Sequence, residues 1–161
     1  MKFLPHKVFI LSVGLLLLYD PVFSQVNTDL SVGFGGPELA VLKIRYGNHI
    51  KIGASQGFMI IMPYEGYQGM IGPTMAEIYY HFTGKSKYDT QPPWYLFGSI
   101  GYWIGENYLF CCPRLGRSFY LSEKLGINID LGALIPLNEN YRENLPSPVI
   151  PSGSICFFFR L

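Results

Sequence analysis

The sequence has 161 residues, enough for one domain with a core of its own. It is 49% hydrophobic and 16% aromatic but only 14% charged, whereas about a quarter of the residues are charged in an ordinary soluble domain. The net charge is +1 with no basic or acidic run, which argues against nucleic acid or another polyanion as a partner. A chain this apolar either buries its surface against a partner or faces lipid.

The first residues have the pattern of an export signal. A positive start at Lys2 and Lys7 precedes an apolar run over 8–18, and Val22-Phe23-Ser24 offers a small-residue cleavage site. We therefore predict a removed signal peptide over 1–24 and a mature domain over 25–161. The alternative is a buried or anchoring helix, but the run is short and Asp20-Pro21 ends it. No cysteine follows the run, which argues against a lipoprotein anchor.

From Asp29 onwards, apolar and polar residues alternate with a period of two, which is typical of β-strands. Eight such segments are predicted, at about 29–35, 39–46, 50–58, 74–82, 95–104, 114–122, 127–135 and 154–161. Connections containing Gly, Asn or Pro separate them, and no helix is predicted after the signal segment. The fold class is therefore all-β, an eight-stranded antiparallel up-and-down barrel that closes on itself and leaves no edge.

Alternation alone does not say which face lies inside, because a soluble lipocalin-type barrel alternates equally well. Here the polar face is rich in glycine and serine, for example Gly33, Gly101 and Gly116, and small residues suit the narrow interior of eight strands. The other face is large, apolar and nearly free of charge, as lipid requires. Arg117 is its exception by strict counting. Aromatic residues near strand ends form a candidate interface girdle: Tyr46, Tyr80, Phe82 and Trp94.

The last predicted strand ends with Phe157, Phe159 and Leu161 in alternate positions. Together with the export signal and the eight strands, this resembles the small OmpA/OmpX-type outer-membrane barrels. The segment 116–137 is also similar to a strand–turn–strand common in exported barrels. The resemblance implies an outer-membrane location, contact with outer-membrane lipid, both termini in the periplasm, and recognition of the last strand by the barrel-assembly machinery. Leu161 departs from the terminal aromatic residue usual in that family.

This topology places outer loops near 36–37, 63–68, 105–113 and 138–152, and periplasmic connections near 47–48, 84–93 and 122–126. The 84–93 connection is long for the periplasmic side. Tyrosines in the outer loops are candidate contact residues, because tyrosine offers area and a polar tip at a low entropy cost: Tyr64, Tyr67, Tyr108 and Tyr141. The alternative is that they are ordinary interface aromatics.

Several charged residues share the inward parity, and buried charges persist only when they are paired and hydrogen-bonded. The predicted interior polar network consists of Lys43, Arg45, Lys51, Glu77, His81, Asp130 and Arg160. One interpretation is a salt-bridge network that fills the barrel, and the other is a polar lining for ions or a small solute. Because eight strands leave little room, a filled barrel is favoured.

The function predicted is a structural or loop-mediated binding role, with no catalytic residue, cofactor or metal site. A lipid A-modifying enzyme is an alternative, but His49 and His81, the two histidines of the mature chain, fall at periplasmic strand ends. A soluble periplasmic lipocalin-like binder is another. Cys111, Cys112 and Cys156 have no zinc-site spacing, and their odd number leaves at least one thiol free or paired between chains.

Overall fold

The computed structural model describes residues 27–36, 39–58, 72–89, 91–103, 107–138 and 149–161. These ranges contain nine β-strands, which are β1 (Thr28–Gly36), β2 (Ala40–Gly47), β3 (Ile50–Phe58), β4 (Thr74–Thr83), β5 (Trp94–Trp103), β6 (Tyr108–Cys111), β7 (Arg114–Tyr120), β8 (Leu125–Pro136) and β9 (Ile150–Arg160). In the described part of the chain, no helix is long and apolar enough to cross a membrane. The predicted signal peptide over 1–24 lies outside the described residues.

The strands form one closed antiparallel barrel. Each strand from β1 to β5 pairs with the next, β8 pairs with β9, and β9 returns to pair with β1. Both β6 and β7 pair with β5 on one side and with β8 on the other, so the two strands share one position in the wall. The predicted eight-stranded barrel is therefore confirmed, and its closure satisfies every sheet edge.

The shared position of β6 and β7 corrects the prediction of an outer loop over 105–113. The two strands keep one register against β5, and the backbone N–H and carbonyl of Cys112 bond Ser99 between them at 3.0 and 3.2 Å. Pro113 lacks an N–H and interrupts the ladder, but its carbonyl still accepts a hydrogen bond from Ala133 at 3.1 Å. Tyr108 thus lies in a strand with its ring buried, and not in a loop.

The last strand begins earlier than predicted. β9 starts at Ile150 instead of residue 154, and Pro151 pairs with Ala133 inside the sheet. The predicted loop over 138–152 is shorter for the same reason. Proline is usually a sign of a strand boundary, but it is tolerated where its missing N–H costs a single ladder bond at a strand end.

The barrel carries its apolar side chains outwards. Outward-facing residues near the middle of the wall are aliphatic and exposed, and include Leu42, Ile52, Ile78, Leu96, Ile100, Leu115, Leu131 and Ile155. Exposed aromatic residues lie nearer the strand ends, and include Phe34, Phe58, Tyr102, Tyr46, Tyr80, Phe82, Phe119 and Phe159. The prediction that the glycine- and serine-rich face lies inside is confirmed by the buried inward positions of each strand.

Inward-facing glycines make room for aromatic rings in the narrow interior. A Cβ added at Gly101 would lie 2.3 Å from the ring of Phe110, one at Gly116 would lie 2.3 Å from the ring of Tyr95, and one at Gly126 would lie 2.5 Å from the ring of Phe158. Each ring therefore occupies the space that a side chain on the glycine would need. This is the physical reason for small residues on the inward face.

Candidate functional site: the polar interior and its cap

The interior divides into a charged zone and an apolar zone. We call the barrel end that carries the 48–49, 84–93 and 121–124 connections the cap end, and the opposite end the far end. Ion pairs and hydrogen bonds between wall residues fill the barrel from the cap end to its middle. Rings and aliphatic side chains lie along β4, β5 and β6, from Tyr95 near the cap end to Tyr108 near the far end.

Asp29 of β1 is the centre of the charged zone at the cap end. Its carboxylate accepts a hydrogen bond from the Lys51 ammonium and lies 3.2 Å from Nε of Arg160 and 3.6 Å from Nη2 of Arg45. Asp29, Lys51 and Arg45 are all 3% exposed or less, so three cations share one buried carboxylate. A buried charge keeps its place only with partners of this kind, so each of these side chains depends on the others.

Glu77 of β4 forms the second cluster, near the middle of the barrel. It accepts hydrogen bonds from Ser55 Oγ at 2.6 Å and from Tyr79 Oη at 2.5 Å, and lies 3.5 Å from the Lys43 ammonium. The Arg45 guanidinium lies 5.2 Å from the centroid of the Tyr79 ring and so connects this cluster to that of Asp29.

Asp130 of β8 forms the third cluster, on the opposite wall. Its carboxylate accepts hydrogen bonds from Arg114 Nη1 at 3.0 Å, from Ser154 Oγ at 2.9 Å and from Tyr95 Oη at 3.3 Å. Arg114 also donates to the carbonyl of Gly36 at 2.7 Å, which ties β7 to the end of β1 across the interior. These bonds join β8 to its neighbours β7 and β9, and the second Arg114 bond extends the cluster to β1.

The connection between β4 and β5 closes the cap end. The Gln91 side chain is buried, and its amide donates to the carbonyl of Asn48 at 2.7 Å while its oxygen lies 3.4 Å from Arg160 Nη2. The carbonyl of Pro92 accepts a hydrogen bond from His81 Nδ1 at 2.8 Å. The length of the 84–93 connection thus has a structural reason, since its second half covers the barrel end. We call residues 89 and 91–93 the cap.

Asp89 joins the cap to the last strand. Arg160 donates to its carboxylate at 2.8 Å, and the backbone N–H of Gln91 donates at 3.2 Å. Burial alone would raise the pKa of the Asp89 carboxyl, but these hydrogen bonds outweigh burial and hold the pKa below its usual value. Asp89 is therefore ionised near neutral pH and supplies a fourth carboxylate beside the five cations Lys43, Arg45, Lys51, Arg114 and Arg160.

The apolar zone lies along β4, β5 and β6 and extends to the far end. Its buried members are Met75, Tyr79, Tyr95, Phe97, Tyr108, Phe110, Cys112 and Leu134, with Trp103 and Ile150 packed against them. The Tyr108 and Phe110 rings stack at 5.5 Å, and the Tyr79 and Phe97 rings lie 4.9 Å apart. The arrangement packs a solid core into the part of the barrel where an ion path would have to continue.

The structure places all seven residues of the predicted polar network inside the barrel. Six of them contact the clusters around Asp29, Glu77 and Asp130, and His81 contacts the cap. Sequence reasoning missed Asp29 and Arg114, although Asp29 has the parity of Ser31 and Arg114 that of Gly116. It also missed Asp89 and Gln91, for which no period-two signal exists because they lie in a connection.

The remaining candidate residues are dispersed. Tyr64, Tyr67 and Tyr141 lie outside the described residues. The three cysteines are unbonded to one another, with Cys112 and Cys156 buried inside and Cys111 half-buried on the outer face. His49 is exposed in the β2–β3 connection. Among the described residues, no group of His, Cys, Asp and Glu is arranged to hold a metal ion.

The polar interior is thus a network that fills the barrel and connects its walls, with the cap over one end. Its ionisable groups face one another, and those of the wall strands are almost fully removed from solvent. This geometry can hold the barrel in one closed shape. Comparison with protein-family models, with curated proteins and with solved structures finds no match to this chain.

Proposed function

We propose that the chain is a small integral outer-membrane β-barrel protein, with a filled interior that supports the wall and with loops that make its external contacts. One observation carries the proposal, which is the apolar outer face. It runs around the barrel and has aromatic side chains towards both ends of the strands. A transmembrane barrel needs this arrangement, an apolar band between two aromatic girdles.

The dimensions of the wall support this proposal. Seven of the eight wall positions are single strands of 8 to 12 residues, and the eighth is β6 and β7 in one register. A tilted strand crosses the apolar core of a bilayer with about 9–11 residues. In water, such a large exposed apolar surface would instead favour aggregation.

The soluble lipocalin-like alternative requires the reverse distribution, with charges outside and an apolar cavity inside. Here buried ion pairs lie inside the barrel, and side chains such as Val32 and Leu131 face outwards. A pore is disfavoured by the same interior, because the Asp29, Glu77 and Asp130 clusters and the apolar zone occupy it.

The proposed topology puts the cap end and both termini in the periplasm. Phe157, Phe159 and Leu161 face outwards along the end of β9, where they are open to contact by barrel-assembly machinery. The external role is assigned to the connections at the far end, where the sequence places Tyr64, Tyr67 and Tyr141.

The lipid A enzyme alternative receives little support from the histidines. His81 is 2% exposed and lies behind the cap, where its Nδ1 donates to Pro92. His49 lies in the connection at the same end. A site for outer-leaflet lipid needs its acid–base group at the far end in the proposed topology.

The test compares Leu131→Lys with Leu121→Lys. Leu131 is 71% exposed near the middle of β8, whereas Leu121 is 54% exposed in the connection at the cap end. In a membrane, a lysine near mid-depth costs about 2–4 kcal/mol and one near the interface about 0–1 kcal/mol. In water, both changes replace an exposed leucine by a soluble side chain and cost little.

The free energy of unfolding is measured by urea titration of the protein refolded into phosphatidylcholine vesicles. Folding of each variant is first verified from the mobility shift between unboiled and boiled samples in gel electrophoresis. A selective loss of stability in Leu131→Lys supports the membrane barrel. Equal stabilities, or a wild type that stays folded and monomeric without detergent or lipid, would refute it.

A further inference from the structure

Arg117 carries the one charge on the outward-facing strand positions in the described part of the wall. Its guanidinium lies 5.3 Å from the centroid of the Trp94 ring and 4.9 Å from that of Phe119. The register is regular here, since Arg117 pairs with Trp94 on β5 and with Ile129 on β8. Neither a bulge nor a shift turns this side chain inwards, so the barrel holds a cation on its apolar face.

The position of Arg117 matches the boundary of the apolar band. It lies three residues before the end of β7 at Tyr120, or roughly 10 Å along the strand. Trp94 is the first residue of β5, and Tyr80 and Phe82 belong to the aromatic residues at the same end. An arginine at such a depth extends its charged tip towards the headgroups while its stem stays among apolar side chains.

The exposed surface of the cap end is also positive. Lys85, Lys87 and Lys124 are exposed there, against the exposed carboxylate of Glu123. Asp89 does not offset them, because it pairs with Arg160. The charge at this end therefore complements an anionic surface.

The outer face beyond Arg117 offers room for an acyl chain. A shallow depression of about 400 Å³ is lined by Ala76, Ile78, Gly98 and Ile100 among others, and Gly98 lies four residues along β5 from Trp94. The absence of a side chain on Gly98 creates part of this space. A cation at headgroup depth and an apolar depression on the same face are the two parts that a phospholipid contacts.

We propose that Arg117, positioned by Trp94 and Phe119, binds the phosphate of an anionic phospholipid in the leaflet that meets the cap end. The adjacent apolar wall contacts the acyl chains of that lipid. The inference rests on the proposed membrane location and adds a lipid class and a site to it. A soluble partner protein fits less well, because the charge is surrounded by a face that lipid would cover.

The experiment uses the tryptophan beneath the guanidinium as a reporter. The chain has two tryptophans, so Trp103→Phe leaves Trp94 as the single one. The full barrel is refolded into vesicles that mix phosphatidylcholine with phosphatidylglycerol. Trp94 fluorescence is compared when the phosphatidylglycerol alone, or the phosphatidylcholine alone, carries brominated acyl chains that quench it. Each variant is compared with itself, so a change in the quantum yield of Trp94 cancels.

We expect about fivefold enrichment of phosphatidylglycerol at Trp94, the preference that one basic residue near an anionic lipid surface supplies. Arg117→Gln should bring the ratio close to one. Lys124→Gln removes one positive charge from the same end without touching either ring, and should leave the ratio within a factor of two of wild type. Where Trp103→Phe folds poorly, the same variants are compared with both tryptophans present, since Trp103 contributes equally to each.

Four results would overturn the lipid site. The first is that Arg117→Gln retains the preference for phosphatidylglycerol. The second is that Lys124→Gln loses as much of this preference as Arg117→Gln, which would indicate diffuse surface charge. The third is that added inorganic phosphate abolishes the preference, which would indicate a site for free anions. Equal quenching by both lipids likewise contradicts the site but leaves the membrane barrel intact. Quenching by neither lipid contradicts the membrane location itself.

Discussion

Gly116 and the Tyr95 ring share one space inside the barrel, and Gly116→Ala tests whether that packing is as tight as the structure indicates. The added Cβ would lie 2.3, 2.4 and 2.6 Å from three atoms of Tyr95. An ordinary contact needs about 3.5–4.0 Å, so the ring would have to move by more than roughly 1 Å. Tyr95 is fully buried, its ring lies 5.6 Å from that of Tyr79, and its hydroxyl donates to Asp130.

Overpacking of this kind costs about 1–3 kcal/mol. Replacing glycine by alanine also reduces the conformational entropy of the unfolded chain, which stabilises the folded protein by about 0.4–1 kcal/mol. We therefore expect Gly116→Ala to lower the free energy of unfolding by about 1–2 kcal/mol. Gly98→Ala is the matched control on the neighbouring strand, because its added Cβ meets only Ile78 at 3.6 Å and should stabilise by about 0.5 kcal/mol.

The assay is urea unfolding in detergent micelles, followed by tryptophan fluorescence, with all three proteins in the same detergent. The slope of the free energy of unfolding against urea concentration should be the same for all three proteins if the folded shape is unchanged. Equal stability of Gly116→Ala and Gly98→Ala would refute the reasoning, since it would show that the Tyr95 ring moves at no cost. The explanation of the glycine-rich interior would then have to be abandoned.

Four further predictions concern the filled interior and the cap. Asp29→Asn leaves three buried cations without their shared carboxylate and should cost about 3–5 kcal/mol in the same unfolding assay, with a loss below 1 kcal/mol contradicting the cluster. The pKa of Asp89 is lowered in the folded protein, so its ionised carboxylate contributes to the free energy of unfolding. This contribution is complete above the unfolded pKa of about 3.9 and is lost as the pH falls through the lower folded pKa. Asp89→Asn should therefore remove this acid-dependent step from a titration of stability against pH. Gln91→Ala should speed amide hydrogen exchange at the cap but not in the middle of β8, and uniform acceleration would show that the cap is not a separate unit. Reconstituted wild type should give no stable conductance in planar bilayers, and discrete single-channel steps would contradict a filled interior.

The barrel wall was predictable because its information is local. A period of two identifies strands and faces from neighbouring residues alone, and it was reliable for regular strands such as β4 and β8. It failed at prolines, which usually indicate a strand boundary but here lie within the sheet. The predicted loops at 105–113 and 138–152 contain Pro113 and Pro151, but each proline lies where the sheet tolerates one missing hydrogen bond.

The interior site was predictable only in part, because parity gives a direction but no partner. Lys43 and Glu77 could be assigned to the inside, whereas their pairing depends on the register between strands. The cap could not be predicted at all. Gln91 and Asp89 contact Asn48 and Arg160, which are far from them in sequence, and only the closed barrel brings these residues together.

The Arg160 contacts have a consequence for the order in which the barrel forms. This side chain lies on the last strand, and its carboxylate partner on the first strand is 131 residues away in sequence. Contacts of such separation form late, because the intervening chain must be ordered first. Until β9 docks against β1, Asp29 lacks one of its cations and Asp89 has no arginine to bind. The pairing of β9 with β1 and the contacts of the cap are therefore completed together. A barrel in which β9 has not yet paired with β1 exposes unpaired charges, and these distinguish it from the folded protein.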